Sequence, residues 1–259
     1  MRKVIAAERQ NEILNLLTQH GSVKINQLSS LFKVSNETIR KDLLYLDKKG
    51  LLKKSHGGAV ALPDLSSIKH TISMETRIEE KTNIKTKLCQ KAMDFIPDQG
   101  VIFLDSGSTI HCLAQLLYQE SGYTIVTCSL NAVYSLTGSA NTVLSTGGQV
   151  NPTNMSLEGF RTTNFIDSIK VDVAFLGTNG FDQHLGPAST DLGDSQIKQA
   201  IMKNSRINIV ISDSSKATYT SLSQYASWND IDYFITDNNL PKSYKDQIGS
   251  MTSLIQVDS

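Results

Sequence analysis

The stretch Val34-Ser35-Asn36-Glu37-Thr38-Ile39-Arg40-Lys41-Asp42-Leu43 is the most informative part of this 259-residue chain. Ile39, Leu43 and Leu46 recur at i, i+4 and i+7, the spacing of one buried helical face. Ser35 precedes the helix, where its hydroxyl can accept from a free backbone N–H. Glu37 sits in the first turn, where negative charge suits the helix dipole. With the apolar face turned inward, Asn36, Glu37, Thr38, Arg40 and Lys41 are left outward at the amino end.

Upstream, Glu8–Gln19 has helical spacing with Ile13, Leu16 and Leu17 on one face. Ile25–Phe32 reads as a second short helix with Ile25, Leu28 and Leu31 inward. Lys33-Val34-Ser35 makes the turn between the second and third. Downstream, Gly50 ends the third helix, and Leu51–Val60 reads as a β-hairpin wing. There Lys53 and Lys54 come before a glycine turn, with His56 beside it. Three helices, a tight turn and a wing describe a winged helix-turn-helix, whose third helix enters the major groove of double-stranded DNA. One helix fits that groove, which is about 12 Å wide.

The charge distribution agrees. Lys and Arg balance Asp and Glu at 25 each over the chain, but residues 1–60 carry a net +6 and the remainder a net −6. A basic front joined to an acidic rear predicts two domains with different partners. No run approaches the roughly 18 apolar residues of a membrane helix, so no membrane partner is expected. Met1-Arg2-Lys3-Val4 leads into charged and polar residues rather than an apolar leader, and a cytoplasmic location is expected. Three cysteines without CxxC spacing, and five scattered histidines, predict neither a disulfide scaffold nor a metal site.

Residues 61–75, with Pro63 and several serines, read as a linker. Met74–Phe95 has helical spacing. From Val101 the chain alternates strands and helices: strands at Val101–Leu104, Tyr123–Thr127, Thr142–Ser145, Val171–Leu176, Ile207–Ile211 and Tyr233–Thr236, with helices at Ile110–Leu117, Leu130–Leu136 and Ser195–Asn204. This is the pattern of an α/β domain with a mostly parallel sheet, expected over residues 76–259. The loops after the strands are rich in Gly, Ser, Thr and Asn. In open parallel sheets, ligands bind beyond the carboxyl ends of the strands. Asp105-Ser106-Gly107-Ser108-Thr109 runs straight into a helix and can cradle an anion on backbone N–H groups. Thr127, Gly147, Gly148 and Asn179 end other strands. Lys198 and Lys216 supply counter-charge, and Asp105, Asp182 and Asp213 can accept from sugar hydroxyls. A polyhydroxyl ligand with a phosphate, a sugar phosphate, is the expected effector.

Val34–Leu43, followed by Gly50-Leu51-Leu52 and His56-Gly57-Gly58-Ala59, closely resembles the DeoR family of bacterial transcriptional regulators. The resemblance implies that residues 1–60 form the DNA-binding domain. Ser35, Thr38 and Arg40 would then contact the backbone and Asn36 and Glu37 the bases. Lys41 and Lys54 replace arginines of the family pattern, keeping the charge and losing the bidentate fork. The resemblance extends through Asp105–Thr109, Ser145–Gly148, Asp172–Asp182 and Lys198–Lys216 to the family's effector domain. That domain is similar in fold to ribose-5-phosphate isomerase and glucosamine-6-phosphate deaminase. Ser106 and Cys128 depart from the family pattern there. The implied protein is a homo-oligomeric repressor, dimer or tetramer, of carbohydrate metabolism.

The enzymatic alternative is a sugar-phosphate isomerase or deaminase with a DNA-binding extension. No acid/base pair at isomerase spacing, nucleophile elbow, Walker A motif or GxGxxG is present. No catalytic residue, metal or cofactor is therefore expected.

Overall fold

The computed structural model describes residues 9–10, 12–14, 16–17, 22–48, 52–55, 57–60, 74–182 and 184–259. Gly50, His56 and residues 61–73 of the expected linker lie outside the described residues, and its last two, Met74 and Glu75, already begin a helix. The chain divides into two compact units, Met1–Lys69 and His70–Ser259.

In the first unit, residues 9–10, 12–14 and 16–17 are helical, with Ile13 and Leu17 buried. Strand β1 (Ser22–Lys24) leads into α1 (Ile25–Phe32), which ends at Lys33 in the left-handed conformation. Helix α2 (Asn36–Lys48) follows. Ser35 Oγ accepts from the Thr38 N–H at 3.2 Å, as its position predicts. Ile39, Leu43 and Leu46 are buried. Leu31, expected inward, is 58% exposed; Ile25 and Leu28, with Phe32 packed partly against them, fill that face of α1. The wing strands β2 (Lys53–Ser55) and β3 (Gly58–Val60) turn at Gly57, whose φ of +85° suits glycine. Strand β1 pairs with β3 to complete a three-stranded antiparallel sheet that the sequence reading did not anticipate.

The second unit opens with α3 (Met74–Glu79) and α4 (Thr82–Met93). The single helix expected over Met74–Phe95 is broken at Lys81, which adopts φ 53°. The break turns the Lys81 ammonium toward Asp213, where it bonds Oδ1 at 2.5 Å. The chain then runs through β4 (Val101–Leu104), α5 (Ser108–Leu117), β5 (Ser121–Thr127), α6 (Leu130–Leu136) and β6 (Ala140–Ser145). A hairpin of β7 (Gln149–Asn151) and β8 (Ser156–Glu158) precedes α7 (Phe160–Asp167) and β9 (Val171–Leu176). Next come β10 (Ala188–Ser189), α8 (Leu192–Met202), β11 (Ser205–Ile211), β12 (Ser223–Gln224), β13 (Tyr233–Asp237), α9 (Lys242–Gly249) and β14 (Ser253–Val257). A 3-10 turn spans Ser214–Thr218.

Seven strands form one parallel sheet in the order β14-β13-β11-β9-β4-β5-β6. Period-two alternation gives it two apolar faces. Ile102, Leu104, Val173, Phe175, Ile209 and Ile235 belong to one buried cluster, and Phe103, Ala174, Leu176, Val210 and Phe234 to the other. The strand order reverses between β4 and β9. From β4 the chain proceeds to β5 and β6 on one side; β9 returns to the other and leads to β11, β13 and β14. Loops leaving such neighbours diverge and open a crevice at the carboxyl ends.

Candidate effector site and nucleic-acid interface

A cleft lies at that reversal. One wall is the β4–α5 turn, with Ser106, Gly107, Ser108, Thr109 and Ile110. The other is Gly177, Thr178 and Asn179 after β9. Arg77, Asn154, Asp194, Lys198, Ser212 and Lys216 complete the lining. Gly107 holds the turn at φ +122°, ψ 159° and stands at the N-cap of α5, where no side chain caps the helix. The first N–H groups of a helix have no intrahelical acceptor, so an uncapped amino end in a cleft favours an anion.

Behind the turn lies a buried charge cluster. Lys198 Nζ is 2.7 Å from Asp105 Oδ2 and 2.7 Å from both Asp194 oxygens. All three residues are buried. Asp194 Oδ2 accepts from Ser189 Oγ at 2.6 Å, and its Oδ1 accepts from Ser106 Oγ at 3.5 Å. Asp105 Oδ2 accepts from the Gly177 N–H at 2.8 Å, while Asp105 Oδ1 has no hydrogen-bond partner among the described residues. One ammonium thus faces two carboxylates. Burial pushes the Asp105 pKa up to about 6; Lys198 opposes the shift and Asp194 adds to it. Burial disfavours the charge on Lys198, but Asp105 and Asp194 outweigh it and its pKa rises. The cluster ties the β4 turn, the start of β9's loop and α8 together.

Lys216 occupies the 3-10 turn that Asp213 caps by accepting from the Ser215 N–H. Burial pushes its pKa down, with Asp213 opposing and Arg77 and Lys81 adding to the shift. Among the described residues Lys216 makes no ion pair, and its ammonium lies 5.4 Å from the Tyr219 ring centroid. An anion beside it would offset the cost of burying its charge. Burial also works against the Asp213 carboxylate, but bonds from Lys81 and Ser215 prevail and lower its pKa.

Of the sequence-expected effector residues, Ser106, Gly107, Ser108, Thr109, Asn179, Lys198 and Lys216 share this cleft. Asp105 and Asp213 stand behind it as partners of Lys198 and Lys81. Thr127 is fully buried, donating to the Leu104 carbonyl and accepting from the Ser129 N–H. Gly147 accepts from Thr162 through its carbonyl, and at Gly148 a Cβ would come within 2.2 Å of Thr162 Oγ1. Asp182 accepts from Tyr244 Oη at 2.7 Å and from Thr220. Thr127, Gly147, Gly148 and Asp182 do not line the cleft. Sequence reading missed Arg77, Asn154, Thr178, Asp194 and Ser212. For Asp194 a signal existed: a carboxylate four residues before Lys198 on one helix face.

In the first unit, Ser35, Asn36, Glu37, Arg40, Lys41, Lys53 and Lys54 are exposed and Thr38 is half-buried. Asn36 Nδ2 donates to Asn26 Oδ1 at 3.1 Å, and Arg40 lies 3.5 Å from Glu37 one turn away. Such exposed pairs are worth at most about 1 kcal/mol, so Arg40 can exchange partners cheaply. The face is held from behind. Asp42 is buried, accepting from Arg9 Nε at 2.6 Å and Gln10 Nε2 at 2.8 Å, which joins the first helix to α2.

These two constructions, a winged helix-turn-helix and an α/β ligand-cleft unit, are matched by two family models. The DeoR-like helix-turn-helix domain covers residues 9–64, and the DeoR C terminal sensor domain covers residues 80–238. Among relatives, the HTH-type transcriptional regulator GolR of Listeria innocua is 32% identical over 237 residues, covering 91% of this chain and 92% of the relative. The glycerol-3-phosphate regulon repressor of Escherichia coli K12 is 31% identical over 237 residues, again covering 91% and 92%. Among solved structures, ribose 5-phosphate isomerase A from Methanocaldococcus jannaschii matches 53% of this chain and 55% of that one, at 19% identity and a TM-score of 0.40. The molecule is a DNA-binding transcriptional regulator with a sensor domain. It belongs to the DeoR family. Among the described residues, no helix is long and apolar enough to cross a membrane.

Proposed function

We propose that this protein represses a carbohydrate-metabolism operon in the cytoplasm, and that a phosphorylated sugar in the cleft between the β4 and β9 loops controls its hold on the operator. The observation that carries this reading is the pairing of an uncapped helix amino end with Lys216, a half-buried cation that makes no ion pair among the described residues. The N–H groups at the start of α5, the Ser108 and Thr109 hydroxyls, Lys216 and Arg77 take the phosphate. Asn154, Thr178, Asn179 and Asp194 serve the sugar hydroxyls. Asp105 and Lys198 hold the floor, and Asp213 holds the turn that carries Lys216. The name of the E. coli relative, a glycerol-3-phosphate regulon repressor, supports a phosphorylated polyol.

On DNA, α2 enters the major groove. Asn36 and Glu37 face base edges, while Ser35, Thr38, Arg40, Lys41 and the wing residues Lys53, Lys54 and His56 hold phosphates. A homo-oligomer, dimer or tetramer, places these units on repeated half-sites. The ligand changes operator affinity by its differential binding to the two arrangements.

The test is Lys216→Ala in the full chain. Operator binding without ligand stays at the wild-type value, and release by a panel of sugar phosphates is lost. Release at wild-type concentrations would refute the site. A thermal-shift screen of the panel follows the same interaction, because stabilisation grows as RT ln(1 + [L]/Kd).

A further inference from the structure

The three cysteines have three different surroundings. Cys128 is fully buried, and burial raises its pKa well above the ordinary thiol range. Cys89, on α4, is also buried; its Sγ donates to the Thr109 carbonyl at 3.1 Å. Cys112, on α5, is half-buried, with Thr86 Oγ1 at 3.8 Å from its sulfur. Helices α4 and α5 pack together: Cys89 reaches Thr109, one turn before Cys112, and Cys112 meets Thr86, one turn before Cys89, so both thiols sit at the same stretch of the interface. The neighbouring Cys89 thiol, then Thr86 and the nearby Lys85 ammonium, favour the Cys112 thiolate and bring its pKa down to about 6, against the opposing effect of burial. The Cys112 neighbour pushes Cys89 up, and burial adds to it.

We propose that Cys112 and Cys89 form an oxidation site that a hydroperoxide converts to a disulfide between α4 and α5. Neither thiol lines the cleft or the DNA-binding face, so the inference stands apart from the proposed function. Cys112 is the attacking group, because the thiolate rather than the thiol is nucleophilic and this sulfur alone combines exposure with neighbours that stabilise it. Its sulfur takes the terminal oxygen of ROOH, the O–O bond breaks, and the departing alkoxide collects a proton to leave as ROH. Cys112 is then a sulfenic acid. Cys89 is the resolving group: its sulfur attacks the sulfenic sulfur, the S–O bond breaks, and the departing hydroxide takes the Cys89 proton to leave as water. Two thiols surrender two electrons, and the peroxide accepts them.

The placement of Cys89 gives the reaction a structural consequence. Its single proton goes to the Thr109 carbonyl. The disulfide removes that proton altogether. Thr109, in the first turn of α5 that lines the cleft, loses its tie to α4, and the two helices gain a covalent one.

The experiment treats the reduced full-length protein with a small excess of hydrogen peroxide, then alkylates and maps the peptides by mass spectrometry. The expected result is a Cys89–Cys112 crosslink lighter by two hydrogens, with Cys128 alkylated, so that three titratable thiols fall to one. Cys89→Ser should stop the reaction at a Cys112 sulfenic acid that dimedone traps. Cys112→Ser should leave Cys89 alkylatable. Wild-type protein that keeps all three thiols, that accumulates a Cys112 sulfenic acid without the crosslink, or in which Cys128 reacts first would overturn the proposal. Because the decisive measurement is on the native chain, a variant that fails to fold does not obscure it.

Discussion

The two units present positive charge in opposite ways. In the helix-turn-helix, the Arg40 side chain is 58% exposed and its companions Lys41, Lys53 and Lys54 stand in solvent. In the sensor unit, the Lys198 side chain is 4% exposed and fixed by two carboxylates. The difference follows from what each surface meets. A DNA duplex brings a row of phosphates across a broad face, and mobile exposed cations can settle on them while releasing counterions. A small ligand makes few contacts, so its groups must already be in place, and burial strengthens each of them. Both units nevertheless keep a buried ion pair behind the surface: Arg9–Asp42 in one and Lys198 with Asp105 and Asp194 in the other.

That contrast can be broken most forcefully at Lys198. Replacing it with Ala leaves two carboxylates facing each other without a cation. The sensor unit should lose about 3–5 kcal/mol, since removing one partner strands a buried charge. Trp228 is the sole tryptophan and is buried in this unit, so its fluorescence in a urea melt reads the loss directly. A change below about 1 kcal/mol would show that the cluster is not held as a unit.

Asp105 sharpens the same contrast through pH. Its folded pKa of about 6 lies above the ordinary carboxylate value. The folded state therefore binds the proton more tightly, and this group stabilises the fold as pH drops from about 6 to about 4. Its penalty is complete above that window. The difference is of order 3 kcal/mol. Urea melts across that range should show a gain toward acid that Asp105→Asn abolishes; parallel curves for the two proteins would contradict the shift.

The exposed side of the comparison carries smaller effects. Ser35→Ala removes the cap of α2 and should cost about 1 kcal/mol, read by thermal denaturation of the helix-turn-helix signal in circular dichroism. Arg40→Ala should lower the slope of log affinity against log salt by about one unit, with no change in the sensor unit's stability. An unchanged slope would remove Arg40 from the phosphate contacts.

How much was legible follows from how local each feature is. Ile25–Phe32, Leu130–Leu136 and Val171–Leu176 match the expected bounds, because their apolar periods are uninterrupted. The Ser35 cap was readable for the same reason. Helix Phe160–Asp167 was not: its leading apolar residue, Phe160, is 82% exposed, so the pattern carries no clear inward face. Strand Ser253–Val257 lies at the sheet's edge and is never fully buried along its length, which leaves little alternation to read. In the site, the β4–α5 turn announced itself through glycine and hydroxyl residues in sequence. Arg77 and Asn154 did not, since only the fold brings them to residues far along the chain. Gly147 and Gly148 carried the same loop chemistry and serve a tight packing contact with α7 instead.

The cleft's lining runs from Arg77 to Lys216, so both sides of the strand-order reversal must be present before it exists. During synthesis, the ribosome finishes the operator-reading segment long before it reaches residue 216. Any product cut short in that interval holds the DNA-binding unit without a complete cleft, and on the function proposed above a nonsense mutation in the later part of the gene would yield a deaf regulator rather than an absent one.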